Sequence, residues 1–515
     1  MNGAQALIRT LVDSSVDVCF MNPGTSEMHF VHALDEVPEM RSVLALFEGV
    51  ATGAADGYAR MADRPAAVLL HLGPGLGNGV ANLHNARRAK TPVVNIVGDH
   101  ATYHAKYDAP LQSDIASIAR GVSGWVRTAE SPDTVARDGA DAVAAAFGPP
   151  GQVATLILPA DVCWLDSPGP VAPTPRSEPT AVDADRIVEV AAALRSGGAA
   201  AILLGGTTLR AEGIRTAAGI TEATGARLLA ETFPTRLERG AGVPPVERLA
   251  YLAEFAQMQL DGIQHLVVVD AASPVSFFAY PDKASDLLPE GCTLHVLAAP
   301  DEDALGALEA LAAELGAAPS QAAAPLARPD RPSGALTAET MALALGACLP
   351  EGAVVVDEGN SAGLFASGLT SGAPTHDWLC LTGGAIGYGL PAATGAALAV
   401  PDRKVVCLEA DGSAMYTAQS LWTQAREGLD VTTVILNNGS YALLNMELDR
   451  VGAGAAGPRA KEMLDIPGLD FVALAQGMGV DASRATTAEE FTDQLERALS
   501  TDGPSLVEAM LPATL

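Results

Sequence analysis

An aspartate ending one apolar run and an asparagine ending the next have the types and spacing for chemistry. KVVCLEADGS runs into Asp411-Gly412-Ser413, and VTTVILNNGS runs into Asn437-Asn438-Gly439-Ser440, with one helix-length segment between them. Two successive parallel strands would carry both turns to one sheet edge, where doubly wound sheets bind ligands. Asp411 offers a carboxylate oxygen, Asn438 an amide oxygen and Ser440 a backbone carbonyl. Hard oxygen donors with one charge, completed by phosphate oxygens, suit octahedral Mg2+. Gly412 lets the backbone approach a phosphate, and a helix starting near Ser413 would point its N-terminus at the anion. DG and NG are each common turn dipeptides. Their separation by one helix and one strand is what makes the pair specific.

A second candidate is Glu48, in SVLALFEGVATGAADGYAR, between an apolar run and a helix of small residues. A carboxyl buried there is costly unless it is protonated or partnered. The plain alternative is an acid favoured by the helix dipole. Thr25, in NPGTSE, and His71, in HLGPG, stand at the ends of the first and third apolar runs. A histidine at such an edge can relay protons near neutral pH, although strand-end histidines are more often structural.

The elements that must position these residues are visible as alternating short apolar runs and longer amphipathic segments. VDVCFM, SVLALF, AAVLLH, PVVNIVG and GQVATLILPADV read as buried parallel strands of a unit spanning residues 1–166. A proline-rich stretch, Ser167–Ala181, can be neither helix nor central strand and reads as a linker. A second unit, 183–316, carries AAAILLGG, ARLLAET, HLVVVDA and TLHVLAA. After a Pro/Ala linker a third, 335–515, carries AVVVDEG, KVVCLEADG, VTTVILNNG and PSLVEAML. The expected class is α/β, with three doubly wound parallel-sheet domains.

Composition narrows the partners. The formal charge of -30 over 515 residues repels nucleic acid and anionic membranes. The six cysteines are scattered without a CxxC pair, so reduced core thiols are expected rather than disulfides or a zinc site. The first residues lack a signal-peptide core and no run is long enough to span a bilayer, so a cytoplasmic protein is expected.

The Asp411–Asn438 stretch resembles the thiamine diphosphate (ThDP) motif of acetolactate synthase, pyruvate oxidase and benzoylformate decarboxylase, GDG followed by NN, with Ala410 in place of the first glycine. The segment around Glu48 resembles that family's glutamate segment, and the likeness covers nearly the whole chain. The resemblance implies pyrimidine-binding, middle and diphosphate-binding domains in that order. It also implies ThDP with Mg2+ held by Asp411, Asn438 and Ser440, and a homodimer or homotetramer with sites shared between subunits. Glu48 is then the carboxylate that activates the pyrimidine ring. LTGGAIGYGLPAATG is similar to the segment under that ring, with Gly384 and Ile386 as contacts and Ile386 as the apolar wedge that bends the cofactor. DEGNSAG matches the diphosphate turn, through Gly359, Asn360 and Ser361. Gly412, Ser413 and Tyr441 complete the phosphate contacts.

Thr25 and His71 resemble the substrate-facing residues of benzoylformate decarboxylase, whose second histidine has no counterpart in SPVSFFAYPDK around Ala279. Gln112, in DAPLQSD, resembles a substrate-side glutamine of acetolactate synthases. Met446 and Glu447 stand at pocket positions where they disfavour a large aromatic substrate. AILLGGTTLRAEG has only a paired glycine, so FAD is expected to be absent. The expected activity is a 2-oxo acid decarboxylase or carboligase like acetolactate synthase. The alternatives are a 2-hydroxyacyl thioester lyase, a benzoylformate-type decarboxylase, or an inactive ThDP-binding paralogue serving as a structural partner.

Overall fold

The computed structural model describes residues 1–454 and 457–513. The first apolar runs form β1 (Val18–Asn22), β2 (Arg41–Leu44), β3 (Ala66–Leu70), β4 (Val93–Asp99) and β6 (Val153–Pro159), joined by β5 (Trp125–Thr128). They make a wholly parallel sheet of order β2-β1-β3-β4-β6-β5. Every residue of β3 and β6 is buried, because helices cover both faces. Leu7, Leu11 and Phe30 pack on one face, and Val50, Ala54 and Leu76 on the other.

The middle segment supplies β7 (Ala200–Leu204), β8 (Arg227–Ala230), β9 (Leu237–Arg239), β10 (Glu247–Arg248), β11 (His265–Val269) and β12 (Thr293–Ala298). All but β9 form a parallel sheet of order β10-β8-β7-β11-β12. The third segment supplies β13 (Val354–Glu358), β14 (His376–Cys380), β15 (Val405–Ala410), β16 (Val431–Asn437), β17 (Asp481–Ala485) and β18 (Ser505–Met510), in the order β17-β18-β16-β15-β13-β14-β9. Thus β9 leaves its own segment and closes the third sheet, antiparallel to β14. Three residues, two of them charged, are too short a signal to betray such an edge strand from sequence. Strand β14 was hidden for another reason. HDWLC is fully buried although it contains Asp377, which is compensated by Arg236 and Arg403, each at 2.6 Å. The proline-rich residues 167–179 hold neither helix nor strand, and neither do 317–333.

The small residues after Glu48 have a packing reason. The Glu48–Ala62 helix of the first segment lies against the Gly389–Ala399 helix of the third so closely that only glycine fits at the crossing. A Cβ on Gly57 would stand 2.0 Å from the Ala392 carbonyl oxygen, and one on Gly395 would stand 1.8 Å from that of Ala54. Under this contact Arg60, fully buried with its partner Asp56 at 2.7 Å, donates to the Cys380 carbonyl, also at 2.7 Å. The helix that begins at Glu48 is therefore clamped to the third sheet. All six cysteines are free, four of them buried. Among the described residues no helix is long and apolar enough to cross a membrane.

Candidate active site

Strand β15 ends at Ala410, and Asp411 is the first residue of a short helix, Asp411–Thr417. That helix begins two residues earlier than the sequence suggests, so Asp411 itself occupies the first turn. Pairing of Ala410 with Leu436 sets the ends of β15 and β16 side by side. The Asp411 carboxylate, 4% exposed, accepts backbone N–H groups from Gly412 at 2.7 Å, Asn438 at 3.1 Å and Gly439 at 2.8 Å. Burial pushes it above the usual carboxylate range, and these donors oppose the shift.

Asn438 Oδ1 accepts the Ser440 N–H at 3.0 Å, which fixes it in the same turn. Among the described residues no three His, Cys, Asp or Glu side chains gather as a metal site. A lone carboxylate with amide and carbonyl oxygens, short of a full shell, is the donor set that suits Mg2+ sharing its ligands with phosphates. Packing also favours glycine at 412, since a Cβ there would lie 2.4 Å from the Tyr441 ring, which would have to move. The Gly359–Ser361 turn reaches the same place: Asn360, in a left-handed conformation at φ 47°, donates from Nδ2 to the Ser413 hydroxyl at 3.0 Å.

Glu48 follows β2, Thr25 follows β1 and His71 follows β3, three adjacent strands of the first sheet. Glu48 is buried, and its Oε2 accepts from Asn78 Nδ2 at 2.9 Å. Gly75 lies between Glu48 and His71: a Cβ there would be 3.2 Å from Glu48 Oε1 and 3.5 Å from His71 Cβ. His71 Nδ1 is 2.8 Å from Oε2 of Glu27, whose side chain is 1% exposed. The same oxygen accepts the Gly24 N–H at 2.8 Å. Burial pushes the Glu27 carboxyl above its ordinary range, against the pull of Gly24 and His71. With Glu27 ionised, Nδ1 carries the hydrogen and Nε2 is left free as the exchanging nitrogen. Gly24 allows the close approach, since a Cβ there would meet the imidazole at 2.4 Å. Thr25 is exposed at the start of a short 3-10 turn. Gln112 is in the loop before the Ile115–Arg120 helix. Its Oε1 is buried without a protein partner, and Ser113 beside it packs against Gly73.

The segment carrying Gly384 and Ile386 is held from both sides. From the first sheet's Leu72–Ala89 helix, Asn82 donates to the Gly387 carbonyl at 3.1 Å and Asn85 to that of Ala385 at 2.8 Å. Asn82 also donates to the Gly49 carbonyl at 2.9 Å, tying the residue after Glu48 to this segment. Thr417 donates to the Gly387 carbonyl at 3.1 Å. Beneath lie two buried carboxyls in register on β13 and β15, Glu358 and Glu409. Burial pushes Glu358 up to about 7 and Glu409 in the same direction. Gly384, at φ 73°, faces Phe277 of the middle segment; a Cβ there would touch the ring at 2.7 Å. An aromatic group, Phe233, Tyr251 and Phe277, therefore stands beside this segment, with Ala279 two residues further on. Glu447 lies 3.4 Å from Arg450 in the Ala442–Arg450 helix.

The glycine turn after β7 does not fit a flavin diphosphate. Its N–H groups are taken by the protein's own carboxylates, Gly206 by Glu231 at 3.1 Å and Thr207 by Asp270 at 3.1 Å. Lys90 neutralises Asp270 at 2.7 Å. Amides already hydrogen-bonded to side chains are not free to receive a phosphate. Neither Glu27 nor Asn78 was singled out from sequence, although NPGTSE and GNGVANLHNARRAK contain them. A carboxylate two residues after Thr25 was the available signal for Glu27.

Three α/β domains, an Asp411–Asn438 edge and a buried glutamate at a strand–helix junction define an enzyme built around thiamine diphosphate. Residues 1–119 match the family described as thiamine pyrophosphate enzyme, N-terminal TPP binding domain, and residues 357–509 match its C-terminal TPP binding domain. The chain belongs to this family and is a ThDP-dependent enzyme of the acetolactate synthase and benzoylformate decarboxylase type. It is 61% identical to a Mycobacterium tuberculosis protein provisionally named acetolactate synthase large subunit IlvX, over 100% of this chain and 99% of that one. It is 32% identical to benzoylformate decarboxylase of Pseudomonas aeruginosa over 95% of both chains. A solved ThDP-dependent 4-hydroxybenzoylformate decarboxylase of Rhodococcus jostii RHA1 has the same fold, with a TM-score of 0.86 at 24% identity over 99% of both chains.

Proposed function

We propose that this chain is a Mg2+-dependent decarboxylase or carboligase of aliphatic 2-oxo acids, acting as an acetolactate synthase when pyruvate is both donor and acceptor. The observation that carries the ThDP chemistry is the grouping around Gly75 of a buried carboxylate, Glu48, and a histidine oriented by a second buried acid, Glu27. The aliphatic substrate class rests on Met446 and Glu447 at the pocket positions and on SPVSFFAYPDK lacking a second histidine. When bound, ThDP supplies a thiazolium carbon that adds to a carbonyl and accepts the electrons released with carbon dioxide. Glu48, buried at the start of its helix, would hold a proton against the pyrimidine ring, where burial strengthens a hydrogen bond. Asp411, Asn438 and Ser440 would hold the Mg2+ that neutralises the diphosphate. His71 Nε2 moves a proton at the reacting carbonyl, and Gln112, with its unsatisfied buried oxygen, orients the substrate.

The site is completed by a second copy of the chain in a homodimer or a tetramer. Leu46 is 49% exposed two residues before Glu48, and Met415 and Tyr416 are 41% and 53% exposed just after Asp411. Exposed apolar groups flanking the site suit a partner surface. Flavin takes no part, because Glu231 and Asp270 fill its cradle.

The test is a screen of the purified holoenzyme against aliphatic and aromatic 2-oxo acids and 2-hydroxyacyl thioesters, with products read by mass spectrometry. Carbon dioxide and a condensed hydroxy-oxo acid from aliphatic substrates are expected. Turnover of thioesters alone would overturn the assignment, and a stoichiometric flavin spectrum would overturn the flavin reading.

Glu27→Gln tests the histidine. Glutamine retains one acceptor but no charge to stabilise the protonated ring, so kcat/KM falls by about 100-fold. Stability moves the other way. The raised Glu27 carboxyl costs the folded state free energy above its folded pKa, and that cost vanishes below the unfolded pKa. The variant therefore unfolds at a higher temperature than wild type at neutral pH, and the difference shrinks as the solution is acidified. Steady-state kinetics and thermal unfolding across pH check both signs.

A further inference from the structure

The buried acid Glu358 has two attachments. Its backbone ends β13 and leads directly into Gly359-Asn360-Ser361, the turn that reaches Ser413. Its side chain turns the other way. Oε1 accepts the Gly387 N–H at 2.8 Å, and Oε2 accepts those of Tyr388 at 2.7 Å and Gly389 at 2.5 Å. Glu409, its register partner, accepts the next amide, Leu390, at 3.1 Å. Four consecutive N–H groups are thus met by two carboxyls that are 1% and 0% exposed.

A plain helix cap explains part of this, since Gly389 and Leu390 open the Gly389–Ala399 helix and their amides lack intrahelical partners. It does not explain why Gly387, outside the helix and at φ 90°, is included. That residue is fixed at both ends: Glu358 holds its N–H, while Asn82 and Thr417 hold its carbonyl. Ile386 immediately precedes it. The close fit extends to Gly389, where a Cβ would stand 2.3 Å from Glu409 Oε2 and 3.1 Å from Glu358 Cβ. A buried acid pair costs more than the apolar pair that would fill the same space, so its presence calls for a specific task.

We propose that Glu358 is a positioning residue that fixes the distance between the diphosphate turn at Gly359–Ser361 and the Ile386 side chain, and so holds a cofactor spanning them in its bent form. The inference rests on the reading that Ile386 props the pyrimidine ring. Glu358 touches neither cofactor nor substrate; it acts through backbone amides at one end and chain connectivity at the other.

The test uses the full-length holoenzyme loaded with ThDP and Mg2+. Glu358→Gln keeps the shape but leaves one acceptor oxygen for amides that now approach two. Its NH2 group must face a backbone N–H, which pushes the Gly387 end of the segment away. The readouts are the near-ultraviolet circular dichroism of the bound aminopyrimidine, the ThDP dissociation constant, the kcat and KM values, and cooperative unfolding. The expected result is a folded protein that binds ThDP within about threefold of wild type, with an altered cofactor dichroism and kcat lowered by about 100-fold at nearly constant KM. Ile386→Ala, measured in parallel, should change the dichroism in the same sense.

A wild-type dichroism and kcat in Glu358→Gln, with Ile386→Ala altered, would overturn the role of Glu358 alone. No change in either variant would overturn the wedge reading, and the Glu358 proposal with it. If the glutamine variant does not fold, Glu358→Asp, which keeps both oxygens but withdraws them by one methylene, gives the same readouts with the same decision.

Discussion

Asp411→Ala weakens metal-dependent cofactor binding by about 100-fold. The substitution removes the one charged donor at the β15–β16 edge and leaves the amides of Gly412, Asn438 and Gly439 facing a gap. Loss of a buried charge partner is worth about 3 kcal/mol or more, a fall of about 100-fold in ThDP affinity in the presence of Mg2+. Freed amides also cost stability, on the order of 1–3 kcal/mol for each that finds no water. Asp411→Asn separates the two effects. It keeps one acceptor oxygen for the Asn438 and Gly439 amides, turns its NH2 group toward the Gly412 N–H, and has no charge for the cation, so it is less destabilised than Asp411→Ala and still loses metal-dependent binding. Calorimetric titration of ThDP with and without Mg2+ checks both variants. Affinity in Asp411→Asn equal to wild type would remove Asp411 from the metal.

Glu48→Gln leaves binding intact and slows turnover by about 10²- to 10⁴-fold. Glutamine has the same shape, and its carbonyl oxygen can still accept from Asn78, so the pocket is preserved. What it loses is the acid–base capacity of the carboxyl. Groups that exchange a proton in this way contribute about 10²- to 10⁴-fold. We expect kcat to fall within that range while the ThDP dissociation constant stays within about threefold, because removing a proton-transfer step leaves the ground-state contacts intact. Steady-state kinetics on whichever 2-oxo acid the screen identifies, together with a ThDP titration, measure the two quantities. A parallel loss of affinity would assign Glu48 to binding instead.

The residues legible in the sequence were those whose chemistry is local to one turn. Asp411 and Asn438 each end an apolar run, and strand, helix, strand is a spacing that a linear reading can count. Glu48 stood out because a charge interrupts a long stretch of small and apolar residues. The partners that make these residues work were not legible, because they come from elsewhere. Asn78 reaches Glu48 from 30 residues away, and Glu27 reaches His71 from 44. Glu358 and Glu409 are side by side only because β13 and β15 pair in parallel. The move of β9 into the third sheet depends on the complementary edge of β14, which no local pattern records. The same limit applies to the middle domain. Its paired glycine reads as a weak nucleotide turn, and only the fold shows Glu231 and Asp270 occupying its amides.

The most direct test of the chemistry assigned to this site is exchange of the C2 proton of bound ThDP for deuterium, followed by quenched-flow NMR on the holoenzyme without substrate. Acceleration far above the rate of free ThDP in wild type, lost in Glu48→Gln although the cofactor remains bound, is the predicted result. Equal exchange rates in the two proteins would contradict the role of Glu48 on which the proposed mechanism depends.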